Sequence, residues 1–208
     1  MILGTCNFGF DYNGPQVPRK EVFKILEEFQ KLGGGIIDTA SNYGESQTII
    51  SEYVKKNGQE NLKIQTKVYD YDTSFFKINE ELKGCKIYSI LYRDFNNNFT
   101  INMLKDLKNH GSIKKYGQSI YYPHELRQEA NIIQIPANGL FNDYFKTMIL
   151  YSNVQIRSVY KLNIIETNSN VDFLKGILKK LDFSANKIDY VIGVDNVKQL
   201  RENMELFG

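Results

Sequence analysis

Eight short runs of β-branched or apolar residues, at 2–5, 35–38, 63–67, 87–92, 115–119, 132–135, 154–158 and 190–193, alternate with amphipathic stretches along the chain. That alternation is the pattern of repeated strand-helix units feeding a parallel sheet. Eight such units predict an α/β fold closed into a (β/α)8 barrel, the TIM-barrel architecture, and 208 residues put it near the lower limit of about 200 for that fold. Between the first two runs, Val22, Ile25, Leu26, Phe29 and Leu32 recur at helical spacing, and Gly33-Gly34-Gly35 ends the helix. Leu104 and Leu107 before Gly111, and Phe173, Leu174, Ile177, Leu178 and Leu181, repeat the device. Gly14-Pro15 and Asn96-Asn97-Asn98 mark loops after the first and fourth strands. Neither is a linker, so the expectation is one compact barrel domain over 1–208, with its site on the rim at the C-terminal ends of the strands.

Charge excludes several partners. With 26 basic and 24 acidic residues the net charge is +2, too small a footprint for nucleic acid or an anionic membrane. No run approaches the roughly 18 apolar residues of a membrane span, and the N-terminus lacks a charged segment followed by an apolar one. A cytoplasmic location is expected. Cys6 and Cys85 are far apart and join no ligand cluster, so they read as reduced core thiols, with no disulfide and no metal. Zinc-binding, P-loop and Ser-His-Asp patterns are absent from the sequence.

The chemistry-bearing segment is Gly35-Ile36-Ile37-Asp38-Thr39-Ala40-Ser41-Asn42-Tyr43-Gly44-Glu45-Ser46, where an apolar run delivers an aspartate and then a tyrosine. A second strand, Leu62-Lys63-Ile64-Gln65-Thr66-Lys67-Val68, carries a lysine at its C-terminal end. A phenol of pKa about 10 is a weak acid, and a neighbouring ammonium favours its ionised form and makes it a better donor. Tyr43 and Lys67 suit those roles, with Asp38 holding the ammonium; the plainer alternative is a rim ion pair beside a loop aromatic.

These segments resemble the aldo-keto reductase family, whose signature is Asp-Thr-Ala-x-x-Tyr-Gly-x-Ser followed by a Thr-Lys strand end. Leu3-Gly4-Thr5-Cys6-Asn7-Phe8-Gly9, Tyr116-Gly117-Gln118-Ser119, Ile132-Ile133-Gln134-Ile135-Pro136-Ala137-Asn138, Ile156-Arg157-Ser158-Val159 and the stretch from Ile192 to Asn203 continue the resemblance in order. It implies an oxidoreductase that moves hydride between NADP or NAD and a polar carbonyl or alcohol, a sugar derivative being one candidate. A second reading from another class is a nicotinamide-binding pseudoenzyme serving as a sensor or interaction module. The family's long C-terminal cover has no counterpart before Gly208, so the pocket is expected to be open or closed by another subunit of a homo-oligomer.

The resemblance assigns residues one by one. Asp38, Tyr43 and Lys67 match three members of the catalytic tetrad. The fourth, a histidine after the fourth strand, is missing from Ile87-Tyr88-Ser89-Ile90-Leu91-Tyr92-Arg93-Asp94. Arg93 takes its place in the preferred alignment, and a shift of one would bring Tyr92 or Asp94. A planar cationic fork there suits an anionic or strongly polar substrate, and its charge is expected to lower the Tyr43 pKa further. For the cofactor, the resemblance implies Gly4 and Thr5 at the first turn, Ser119 and Gln134 on the carboxamide, and Ser158 near the pyrophosphate, followed by Val159 and Tyr160 packed on the ring, with a core role as the alternative for Tyr160. It also implies Gly193 and the helix after it on phosphate, and Gln199 and Asn203 on the adenine side. Ile120 replaces an asparagine common in relatives. Asp195 or Asn196 suits an N-cap; Asp195 lies where many relatives hold the 2′-phosphate, with Lys198 and Arg201 as compensating cations. His110 reads as a helix-end cap, and His124, Tyr12, Tyr121 and Tyr122 as rim residues.

Overall fold

The computed structural model describes residues 1–12, 14–59, 61–69, 71–93, 98–127, 130–137, 153–159 and 187–208. The apolar face expected at 173–181, Tyr160, Asp94, Asn96, Asn97 and Asn138 lie outside the described residues. Strands β1 (Ile2–Gly4), β2 (Ile36–Asp38), β3 (Lys63–Val68), β4 (Ile87–Tyr92), β5 (Lys115–Ser119), β6 (Ile132–Pro136), β7 (Asn153–Arg157) and β8 (Lys187–Gly193) pair in sequence order. Every pairing is parallel, and β8 returns to β1 through Ile2↔Val191, Leu3↔Ile192 and Gly4↔Gly193, closing the barrel. The described helices are α1 (Cys6–Gly9), α2 (Arg19–Lys31), α3 (Ser46–Asn57), α4 (Tyr71–Glu81), α5 (Asn98–Asn109) and α6 (Val197–Phe207). Asn98, expected in a loop, opens α5 instead. None of the described helices is long and apolar enough to cross a membrane.

Each element follows from its residues. In α2 the predicted Val22, Ile25, Leu26 and Phe29 are buried against the sheet, whereas Leu32, predicted with them, follows the helix as its C-cap and is 41% exposed; Gly33, at φ +81°, takes the left-handed turn that ends the helix. Arg201 of α6 donates to Glu28 of α2 at 2.8 Å, tying the last helix to the first long one. The apolar core lies between the strands and the helix ring, with Ile37, Ile64, Ile90, Ile133, Val154 and Ile192 joining Val22, Ile50, Leu104 and Leu200. Inside the barrel the register produces a polar layer. It sets Asp38 beside Gln65, Gln65 beside Ser89, Ser119 beside Gln134, and Gln134 beside Gln155.

Candidate active site

Alternation along β3 turns Gln65 and Lys67 to the same side, where β2 presents Asp38. Lys67 and Asp38 are 1% and 2% exposed and form a close ion pair. Lys67 also donates to the Thr39 carbonyl at 3.2 Å and approaches the Tyr43 hydroxyl at 3.4 Å. The second carboxylate oxygen of Asp38 accepts from Gln65 at 2.7 Å and Gln134 at 3.1 Å. Gln155 closes the layer through Gln65 (2.8 and 3.0 Å) and Gln134 (3.1 Å), and Ser89 donates to Gln65 at 3.1 Å. A buried charge pair survives only when its remaining hydrogen-bonding sites are filled, and these side chains fill them.

Tyr43 is delivered by a loop that two glycines allow. Gly44 sits at φ +52°, and a Cβ there would meet the Gly9 carbonyl oxygen at 2.2 Å. A Cβ on Gly9 would lie 1.7 Å from the Tyr43 carbonyl oxygen. Ser46 fastens the same loop, donating to the Thr5 carbonyl at 3.0 Å and meeting the Thr5 hydroxyl at 2.8 Å, while Thr5 donates to the Asp38 carbonyl at 3.0 Å.

Burial pushes the Tyr43 phenol well above its ordinary value, with the Asp38 carboxylate next in effect and Arg157 opposing. This corrects the expectation that cations would lower it: desolvation of the phenolate dominates, and the Asp38 carboxylate adds to the rise. Burial also pulls the Lys67 ammonium below its usual value against the favourable contact with Asp38, with Arg157 and Arg93 adding to the fall.

A cavity of about 360 Å³ opens above this pair and runs to Gly193 and Asp195 at the start of α6. Gly4, Thr5, Ser119, Ser158 and Gly193 line it, as do Arg93, Tyr12 and Tyr121. Arg93 does not reach Tyr43 by hydrogen bond; it donates to the Tyr69 hydroxyl at 3.3 Å and lies over the Tyr121 ring. Ser158 holds φ +57°, a left-handed backbone that a serine adopts at a cost. Cys6, expected in the core, faces the cavity.

Three residues expected at the cofactor make other contacts within the protein. Gln134 is fully buried and not on the cavity wall: it accepts from Ser119 at 3.1 Å and donates to Asp38 and Gln155, so it braces the aspartate. Gln199 accepts from the Asp195 amide at 2.7 Å while Asn196, the N-cap of α6, accepts from the Gln199 amide at 2.9 Å, a reciprocal capping arrangement. Asn203 is buried in α6, 6% exposed. His110 caps α5 through the Asp106 carbonyl at 2.8 Å, and His124 stacks on Tyr122 away from the cavity. Sequence reading passed over Gln65, Gln155 and Ser89, whose signal is a polar residue inside an apolar run, and over Arg157 as a wall residue, whose signal is a charge at a strand end.

A dinucleotide suits one path through this cavity. The wall is continuous from Tyr43 and Lys67 to Gly193, where an added Cβ would find its nearest atoms 3.8 and 3.9 Å away, leaving room for backbone approach. Asn7, whose amide donates to the Val194 carbonyl at 3.0 Å and to Asp195, leaves its buried oxygen without a hydrogen-bond donor. Asp195, at the Gly193 end of this wall, opposes a phosphate.

The aldo/keto reductase family model matches residues 1–140, and the chain belongs to that family. Among solved structures it is similar to a Pseudomonas aeruginosa protein assigned to the aldo-keto reductases, at 20% identity and TM-score 0.77 over 99% of this chain and 88% of that one. It is also similar to the holo form of an aldo-keto reductase from Bacillus halodurans, at 16% identity and TM-score 0.74 over 99% and 85% of the two chains. An aldo/keto reductase from Brucella melitensis follows, at 17% identity and TM-score 0.69 over 96% and 86%. No curated protein matches. Members of the family are generally NAD(P)-dependent oxidoreductases acting on small-molecule carbonyl compounds.

Proposed function

We propose that this chain reduces a polar carbonyl compound to the alcohol, with Tyr43 as the proton donor. The observation that carries the reading is the Tyr43 hydroxyl on the cavity wall, 3.4 Å from a fully buried lysine that is itself paired with Asp38. Reduced nicotinamide, when bound, would supply hydride to the carbonyl carbon. The carbonyl oxygen takes the phenolic proton, so that hydride and proton together complete the alcohol. As the proton leaves Tyr43, the Lys67 ammonium faces the nascent phenolate, and Asp38, held by Gln65 and Gln134, keeps the ammonium in place. Ser119 and Gly193 would hold the two ends of the cofactor, with the α6 N-terminus facing its phosphates.

NADH is favoured over NADPH. Arg201, one of the two cations available to offset Asp195, is engaged by Glu28 at 2.8 Å, and Lys198 leans towards Glu202 at 3.9 Å. Titration calorimetry with each cofactor, followed by oxidation of the bound cofactor with benzaldehyde and glyceraldehyde, tests both statements. The expected result is binding of NADH at least about tenfold tighter than NADPH and turnover of an aldehyde. Binding without turnover would favour the sensor reading, and tighter NADPH would refute the cofactor preference.

A further inference from the structure

Two guanidiniums meet over one ring in the cavity. Arg93, just past β4, lies 4.1 Å from the centre of the Tyr121 ring, and Arg157, the last residue of β7, lies 4.2 Å from it. The two charges are therefore no more than about 8 Å apart. Arg93 is steadied by the Tyr69 hydroxyl at 3.3 Å, and Arg157 by the Ile120 carbonyl at 3.3 Å. Both line the same cavity as Tyr43.

Among the described residues neither guanidinium has a carboxylate within ion-pair distance, whereas Arg19 and Arg201 on the outer surface both do. The cavity's own acids are engaged elsewhere, Asp38 by Lys67 and Asp195 by Asn7. Two like charges held together repel, and an anion shared between them relieves the repulsion. The pyrophosphate of a cofactor is the other anion to consider. Arg157 contacts the Ile120 carbonyl and the Tyr121 ring, just past β5, whereas Gly193 ends β8.

We propose that Arg93, Tyr121 and Arg157 form an anion clamp that selects carbonyl substrates bearing a carboxylate or phosphate, holding the anionic head while the carbonyl faces Tyr43. This rests on the reductase reading above. A planar guanidinium matches either oxyanion by paired N–H donors, and Tyr121 keeps the forks apart and oriented.

The test uses the full chain with NADH and two substrate pairs differing in charge: para-carboxybenzaldehyde against its methyl ester, and glyceraldehyde phosphate against glyceraldehyde. The acid-to-neutral ratio of kcat/KM should exceed about tenfold in at least one pair, and the pair with the larger ratio names the anion. Arg157→Gln and Arg93→Gln should each lower that ratio about tenfold or more, chiefly through KM of the charged member, with Arg157→Lys recovering part of it. A parent ratio near one, or variants that keep the parent ratio, would overturn the clamp. So would a matching loss of NADH affinity, which would give the arginines to the cofactor. A second reading needs no turnover: malonate and inorganic phosphate should raise the Tm of the parent and not of Arg157→Gln. If no aldehyde is reduced but that difference holds, the clamp stands and the reductase reading fails; if aldehydes are reduced without charge discrimination and neither anion shifts Tm, the reverse is true.

Discussion

A phenol buried beside a carboxylate gives up its proton reluctantly, and Tyr43 has both conditions around it. Its folded-state value stands above the ordinary 10.0, so the group is protonated throughout the neutral range. Reduction, which consumes that proton, should be level through neutral pH and fall only above about pH 10, while the reverse oxidation should rise towards the same limb. Profiles of kcat in both directions check the sign; a reduction limb already falling near pH 8 would contradict it. Asp38 has a separate structural burden, because its removal leaves the Lys67 ammonium buried with only the Thr39 carbonyl and the Tyr43 hydroxyl as partners. Asp38→Asn should cost about 3–5 kcal/mol in urea unfolding, and adding Lys67→Met should return part of the loss. Loss of less than about 1 kcal/mol would show that the pair is not the buried ion pair described here.

The loop that carries Tyr43 depends on α1 more than on its own strand. Gly9 packs its bare Cα against the backbone of Tyr43, Glu45 and Ser46, so Gly9→Ala must displace the loop. Shifting a reacting group by about 1 Å can cost a hundredfold in rate, whereas overpacking of this kind costs about 1–3 kcal/mol in stability. The expected outcome is a folded variant whose kcat falls at least about tenfold with cofactor affinity retained, measured by stopped-flow turnover and calorimetry. An unchanged kcat would mean that the loop tolerates the displacement. Elements of this kind were legible in the residues themselves. The eight apolar runs, the α2 stripe and the stop at Gly33 all rest on local periodicity and backbone freedom, which one segment expresses alone. Asn98 was misread because three asparagines read as a turn, and that composition says nothing of the α5 residues that follow.

At the scale of the whole molecule, what could not be read is what barrel closure creates. Asp38, Tyr43 and Lys67 were legible because a short motif and the next strand end carry them. Arg93 and Arg157 share one ring only because β4, β5 and β7 deliver their ends to one rim. Gln134 braces Asp38 from across the barrel, 96 residues away, so its role follows from register and closure and not from its own run. The sign of the Tyr43 shift was unreadable for the same reason, since burial outweighs the cations and burial is a property of the assembled cavity. Hydride transfer with Tyr43 as acid is tested by single-turnover transfer of deuterium from deuterated NADH to para-carboxybenzaldehyde, by the parent and by Tyr43→Phe. The parent should yield the deuterated alcohol, and Tyr43→Phe should form it about 100-fold more slowly or worse while binding NADH as the parent does. Deuterium transfer at the parent's rate in Tyr43→Phe, or none in the parent with NADH bound, would contradict the account.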